Sequence, residues 1–364
     1  MTWKPSPASR RRPLAMAAAL VLTALVGGAC HTAPPLPPPR EGFAITDKFF
    51  DVKSVGIKSF LLLGYRSALW RSDDGGKTWK KLTAPTRRNL TRLAFFDGKL
   101  GWGVGHEGIV YKTENAGESW TEQKSGTKNA LFDLSITGAQ SVWAIGDVSS
   151  ILHTTDGGNT WTAQQKSDGT PGLDLSMIGV REDMTLAISD PIFYGISCVD
   201  DKTCFVVGEF GQIRMTTDGG KTWGAGHGGL LGGKTIYRDV MSMPTFLCVR
   251  ARDAQHAVAV GTYGAIASTS DGVNWTWNQV PGNAPLYDIR ALPDGDYVVV
   301  GASGAVLRGN PESGWKSADV PAGVFTWLSA SDFDTAGHGV AGGGHGLLLT
   351  TGDFGKKWEW KANG

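Results

Sequence analysis

Short β-rich apolar runs separated by glycine turns are the recurring pattern of this chain. Phe205-Val206-Val207 and Gln212-Ile213-Arg214-Met215 form one such pair, with Gly208-Glu209-Phe210-Gly211 between them. The same apolar-Gly-x-x-Gly-apolar phrase returns at Gly105-His106-Glu107-Gly108, Gly261-Thr262-Tyr263-Gly264, Gly301-Ala302-Ser303-Gly304 and Gly343-Gly344-His345-Gly346, and Gly64 and Gly146 begin partial copies. Strand-like runs joined by glycine turns predict hairpins. No helical pattern follows these glycines, so they do not predict a dinucleotide-binding loop, which requires a helix there.

A polar phrase follows each hairpin. Ser72-Asp73-Asp74-Gly75-Gly76-Lys77-Thr78-Trp79 has close copies at 154–161 and 216–223. Looser copies stand at 113–120, with Asn115 in the Asp position, at 269–275, one residue short, at 309–315, eroded but keeping Trp315, and at 351–358. The pattern resembles the Asp-box, or BNR repeat. Its Asp braces a tight turn by bonding backbone two residues on, and its Gly supplies positive φ. Its Trp is a large apolar anchor. Asp74, Asn115, Asp156, Asp218, Asp271 and Asp353 therefore read as turn braces rather than as repeated metal or catalytic sites. One unit is strand A, an A–B turn, strand B, the Gly-x-x-Gly turn, strand C, the Asp-box turn and strand D. Seven units of about forty residues predict an all-β, seven-bladed propeller over 43–364.

The formal charge of +1 argues against nucleic-acid binding driven by bulk charge. The first thirty residues are different in kind: Ser9-Arg10-Arg11-Arg12 is basic, 13–29 is small and apolar, and Cys30 follows. This predicts an export signal over 1–29. Leu25-Val26-Gly27-Gly28-Ala29-Cys30 resembles a lipobox, which makes Cys30 the acylated residue. Gly27 departs from that pattern, so a plain secretory signal cut near Ala29 is the alternative, and the arginines also resemble a twin-arginine signal. The proline run at 34–39 predicts an extended tether within 30–42. Export exposes cysteines to oxidation, and Cys198 and Cys204 flank a five-residue turn, which predicts a disulfide. Cys248 is left as a buried unpaired thiol. No zinc spacing is present, and no metal or cofactor is expected.

Function is expected on the face that carries the Gly-x-x-Gly turns and the D-to-A loops, around the mouth of the central channel. Two of these loops are long, 164–191 and 224–237, and long loops are where binding residues concentrate. Arg181 lies in the first, and the second, with His227 and Lys234, runs into Arg238. Arg87, Arg88 and Arg92 form a basic cluster suited to a carboxylate or peptide partner. Glu107, Glu209, Tyr263 and His345, inside the glycine turns, are placed on the same face.

Asp-box propellers include sialidases, which use a Tyr nucleophile helped by a Glu. No Tyr–Glu pair is evident from the sequence, and no Gly-x-Ser-x-Gly elbow occurs, so a carbohydrate-active propeller is the alternative and not the principal reading. The phrase from Gly101 to Thr113 and the stretch from Cys204 to Trp223 resemble the photosystem II assembly and stability factor family, over about 43–361. That resemblance implies a non-catalytic monomer that docks a membrane-protein complex through an arginine patch, with Arg87, Arg88 and Arg92 as the equivalents. The lipoprotein-like start implies an exported, lipid-anchored accessory on the periplasmic face of a bacterial membrane. Its expected partner is an assembly intermediate or an RND-type exporter.

Overall fold

The computed structural model describes residues 43–44, 46–164, 190–225, 243–280 and 283–360. The signal segment, Cys30, the proline run and most of the two long loops, with Arg181, His227, Lys234 and Arg238, lie outside the described residues. The strands form seven four-stranded antiparallel sheets, each built from four consecutive strands. In the first blade these are A, Phe49–Gly56; B, Ser59–Gly64; C, Leu69–Ser72; and D, Lys80–Leu82. The A strands of the later blades are Leu90–Phe95, Leu131–Ile136, Phe193–Cys198, Phe246–Ala251, Leu286–Ala291 and Leu328–Phe333. Each A strand contacts the A strand of the blade on either side, and the last contacts the first, so these strands form the inner ring.

Burial follows from that geometry. The five-residue B strands are buried throughout, as in Val142–Gly146 and Tyr297–Gly301, because both sheet faces are covered by neighbouring blades. The D strands are short and mostly exposed, which keeps the outer edges unattractive for pairing. Apolar clusters fill the gaps between blades; Phe60 and Leu62 of the first blade, for example, pack with Val340 and Leu348 of the last.

The Asp-boxes are closed hydrogen-bond cages at the C–D turns. In the first, Asp74 accepts from Ser72 Oγ at 2.8 Å, the Thr78 amide at 2.9 Å and Thr78 Oγ1 at 2.6 Å, while Ser72 Oγ accepts the Gly76 amide at 2.8 Å. Trp79 Nε1 donates to the Gly76 carbonyl at 3.0 Å. Asp156 and Asp218 repeat the cage. In the eroded copy Asn310 takes over, accepting the Glu312 and Ser313 amides.

The glycine phrase is a repeated turn with two consecutive left-handed residues. Its third position has positive φ in every blade, at Arg66, Glu107, Val148, Phe210, Tyr263, Ser303 and His345 (φ 51 to 58), and the fourth is Gly or Ser, also at positive φ. The residue after them bonds back to the carbonyl of the second position, as Ile109 does to His106. This is the tight turn that fits strand twist. The first glycine has a separate cause: a Cβ on Gly105, Gly146 or Gly343 would lie 2.1, 1.9 or 1.8 Å from the backbone carbonyl of the residue before strand A.

The ring closes without strand exchange among the described residues. Residues 43–44 and 46–48 take the place of a D-to-A loop at the junction of the last and first blades. The Gly346 amide donates to the Asp47 carbonyl at 2.9 Å, just as the Gly304 amide donates to that of Thr326 and the Gly211 amide to that of Pro244. Phe43 packs edge-on against Phe49, Trp70 and Trp79. Cys198 and Cys204 are disulfide-bonded across the A–B hairpin of the fourth blade, where they face each other in register.

Candidate partner-binding face

The B–C turns and D-to-A loops share one face, and all seven A strands break their pairing just where they enter it. One residue in each is skipped by the ladder: Phe50, Thr91, Phe132, Tyr194, Leu247, Tyr287 and Ser329. Such bulges re-aim a side chain and gather at rims and functional sites. All seven are half-buried. The two aliphatic hydroxyls fix the direction: Thr91 Oγ1 donates to the Leu131 carbonyl of the next blade at 2.7 Å, and Ser329 Oγ to that of Phe49 at 2.6 Å. The bulged side chains therefore lie between successive A strands at the channel mouth. Five are large and apolar or aromatic. Phe132 and Tyr194 touch, with ring centroids 5.4 Å apart, and His106 meets the Phe132 edge. Burial raises the Tyr194 pKa, and the Glu209 and Asp147 carboxylates add to it.

Below the mouth the channel holds a buried ion network. Asp51, Arg92, Asp133, Cys248 and Asp288 occupy the position after the bulge, and Lys53, Arg250, Arg290 and Asp332 stand two residues further on. Arg92 lies 3.4 Å from Asp51, 3.3 Å from Asp133 and 3.9 Å from Asp288, and so reaches from the second blade to the sixth. Arg290 reaches Asp51, Asp288 and Asp332. The carboxylates also accept amides from the next blade: Asp51 from Leu93, Asp133 from Ile196, Asp288 from Ser331, and Asp332 from Ser54. Burial pushes the Asp288 pKa up, but Arg290, Arg92 and Arg250 together outweigh it and hold the carboxyl at about 2. Cys248 is indeed free and buried, with Sγ 3.3 Å from Asp288 Oδ1, and burial raises its pKa.

The expected arginine cluster is thus divided. Arg92 is 8% exposed and belongs to the axial network, not to a surface patch; its place after the bulge turns it inward. Arg88 is half-buried and tied to Glu122 at 2.5 Å and to Tyr111, so its charge is already matched. Arg87 alone of the three is exposed without an ion pair among the described residues. Glu107 is an exposed turn apex beside an open groove of about 570 Å³, lined also by Arg88, Glu122, Lys124 and Lys128. Glu209 accepts the Ile192 amide at 3.0 Å and so supports the loop before strand A.

A Tyr–Glu pair does exist: the Tyr111 hydroxyl donates to Glu122 Oε2 at 2.9 Å. The two are cross-strand partners on strands C and D of the second blade, away from the inner ring, and Arg88 clamps both. The pair braces the junction between two blades.

Sequence reasoning passed over the mouth residues Phe132, Tyr194 and Tyr287. The signal was present in the aligned A strands, where a large residue precedes a charged one in Phe50-Asp51, Phe132-Asp133 and Tyr287-Asp288.

Fold and cages together define an Asp-box seven-bladed β-propeller. The chain resembles the photosystem II assembly factors: residues 42–128, its first two blades, match the family described as photosynthesis system II assembly factor YCF48. Photosystem II assembly lipoprotein Ycf48 of Synechococcus sp. (strain RCC307) is 35% identical over 118 residues, covering 30% of this chain and 35% of that protein. A second Ycf48, of Prochlorococcus marinus, is 27% identical and matches over 46% of this chain and 47% of its own length, so the chain spans about a third to a half of these relatives. A solved structure described as YCF48 bound to D1 peptide superposes with a TM-score of 0.62 at 17% identity, covering 85% of this chain and 94% of the other. At that identity the likeness is one of fold.

Proposed function

We propose that the chain is a non-catalytic, exported assembly or accessory factor that holds a segment of a membrane-protein partner across its channel mouth. The observation that carries this reading is the sevenfold bulge, which presents Phe50, Phe132, Tyr194, Leu247 and Tyr287 half-buried on the inner ring. Rigid aromatic side chains offer large contact area at low ordering cost. The ion network beneath fixes the strands that carry them. The names of the relatives supply the partner class, a membrane-protein assembly intermediate; they lend nothing to an exporter partner. The same names support a lipid anchor; we place it at Cys30, on the periplasmic face of a membrane, from the lipobox-like sequence alone. Of the expected arginines, Arg87 is the one left exposed without an ion pair among the described residues.

A photo-crosslinking amino acid in place of Tyr194 or Tyr287 tests this in native membranes. Adducts with a specific membrane protein from both positions, and none from Val273 on the Asp-box face, are expected. Equal or absent adducts at all three positions would sink the reading.

A further inference from the structure

On the same face, exposed aromatic and basic side chains line an arc of the rim across the last, first and second blades; Tyr263 of the fifth blade, 52% exposed, stands apart from it. Phe325 is 85% exposed, Trp360 50% and Tyr65 53%. Contacts run continuously from one end to the other. A Cβ on Gly323 would lie 3.9 Å from both the Phe325 and the Trp360 rings. Thr326, next to Phe325, bonds His345 at 3.1 Å, and the adjoining Gly346 amide bonds the Asp47 carbonyl. The Tyr65 amide bonds the Lys48 carbonyl at 3.0 Å, and the Arg66 amide bonds Asn89, two residues beyond Arg87. Lys48, Arg66 and Arg87 are exposed, and the Arg66 guanidinium lies 5.5 Å from the Tyr65 ring centroid. Among the described residues, the exposed carboxylates in this sector are Asp319, on the loop that carries Phe325, Glu359, beside Trp360, Glu107, at the far end, and Glu122, already paired with Arg88.

We infer that this arc rests on an anionic lipid surface, leaving the mouth residues of the third to sixth blades turned to a partner in the same membrane. Two observations choose lipid over protein as the occupant. The aromatics are spaced singly along a rim and interleaved with cations, the composition of a membrane-interface contact. The described chain also begins inside this arc, at Phe43, and residues 31–42 separate it from Cys30. Even fully extended, that span cannot exceed roughly 45 Å. The tether argument rests on acylation of Cys30; the composition of the arc does not.

The test uses the full chain with Cys30→Ser, so that anchoring and docking are read separately. Hydroxyl-radical footprinting is done free, on vesicles of phosphatidylglycerol and phosphatidylethanolamine, and on vesicles of phosphatidylcholine. Labelling of Tyr65, Phe325 and Trp360 is expected to fall severalfold on the anionic vesicles only, with Phe96 on the opposite face unchanged. Each of Lys48→Glu, Arg66→Glu and Arg87→Glu should weaken vesicle partitioning by about fivefold or more, with circular dichroism confirming the fold. Labelling that is the same with and without anionic vesicles overturns the inference. So does protection that appears only when a membrane protein is reconstituted with the lipid, which would make the arc a protein interface.

Discussion

The Arg92 guanidinium of the second blade lies 3.3 Å from the Asp133 carboxylate of the third. Asp133 in turn accepts the Ile196 amide of the fourth blade at 3.0 Å. One charged side chain thus links three consecutive blades, and through Asp51 and Asp288 it links two more.

Removing Arg92 unbalances the network, leaving Asp51, Asp133 and Asp288 with only Lys53, Arg250 and Arg290 as counter-charges. Arg92→Ala is expected to lose about 3–5 kcal/mol of stability, read as a lower midpoint in urea, whereas Arg87→Ala leaves the midpoint in place. Equal midpoints for the two variants would show that the axial network does not hold the ring.

Gly343 has an extended backbone that alanine adopts freely, so only space opposes a side chain there. With a carbonyl 1.8 Å from the added Cβ, Gly343→Ala should destabilise by about 1–3 kcal/mol. Gly352→Ala, with nothing within 4 Å of its Cβ, serves as the neutral comparison in the same thermal melts.

Acid should open the Asp-boxes. Hydrogen bonds from the Thr160 hydroxyl and amide hold Asp156 at about 2, and those from Asn274 hold Asp271 at about 2. Both lie below the unfolded value of about 3.9. Their contribution is therefore complete above pH ~4 and disappears as pH falls through the folded value. Tryptophan fluorescence should report a transition between about pH 4 and pH 2, and Asp156→Asn combined with Asp271→Asn should flatten that part of the curve. A curve unchanged by the substitutions would place the acid sensitivity elsewhere.

The disulfide closes only the turn at 199–203, so its effect should be modest. Reduction, or Cys198→Ser with Cys204→Ser, is expected to lower stability by about 2 kcal/mol without altering the circular dichroism spectrum. Loss of strand signal on reduction would mean that the fourth blade depends on the bond.

The elements legible in the sequence are those whose cause is local. A Ser/Thr-x-Asp cage and a pair of left-handed residues leave their chemistry within eight residues, so the C–D and B–C turns, the blade number and the two faces could all be read. Arg92 was not legible in the same way. Its neighbours Arg87 and Arg88 suggested a surface cluster, and only the bulge at Thr91 turns the strand so that Arg92 points at the axis. Comparing the repeats at that position, with Asp51, Asp133 and Asp288 in the equivalent slots, exposes the pattern: opposite charges between apolar residues on the innermost strand. Tyr111 and Glu122 escaped notice because their pairing depends on C–D register across an Asp-box, which spacing alone does not set.

Among the described residues no strand is shared between the first and last blades, and a clip lies at their junction beside the A-strand contacts. The short segment 43–48 is held by the Asp47–Gly346 bond and the seating of Phe43 among three aromatic rings. Mechanically, that makes the junction of the first and last blades the loaded point whenever tension arrives from the N-terminal side. A pull there peels the clip residue by residue, while the sheets, whose strands all belong to one blade each, bear the force only after it has given way.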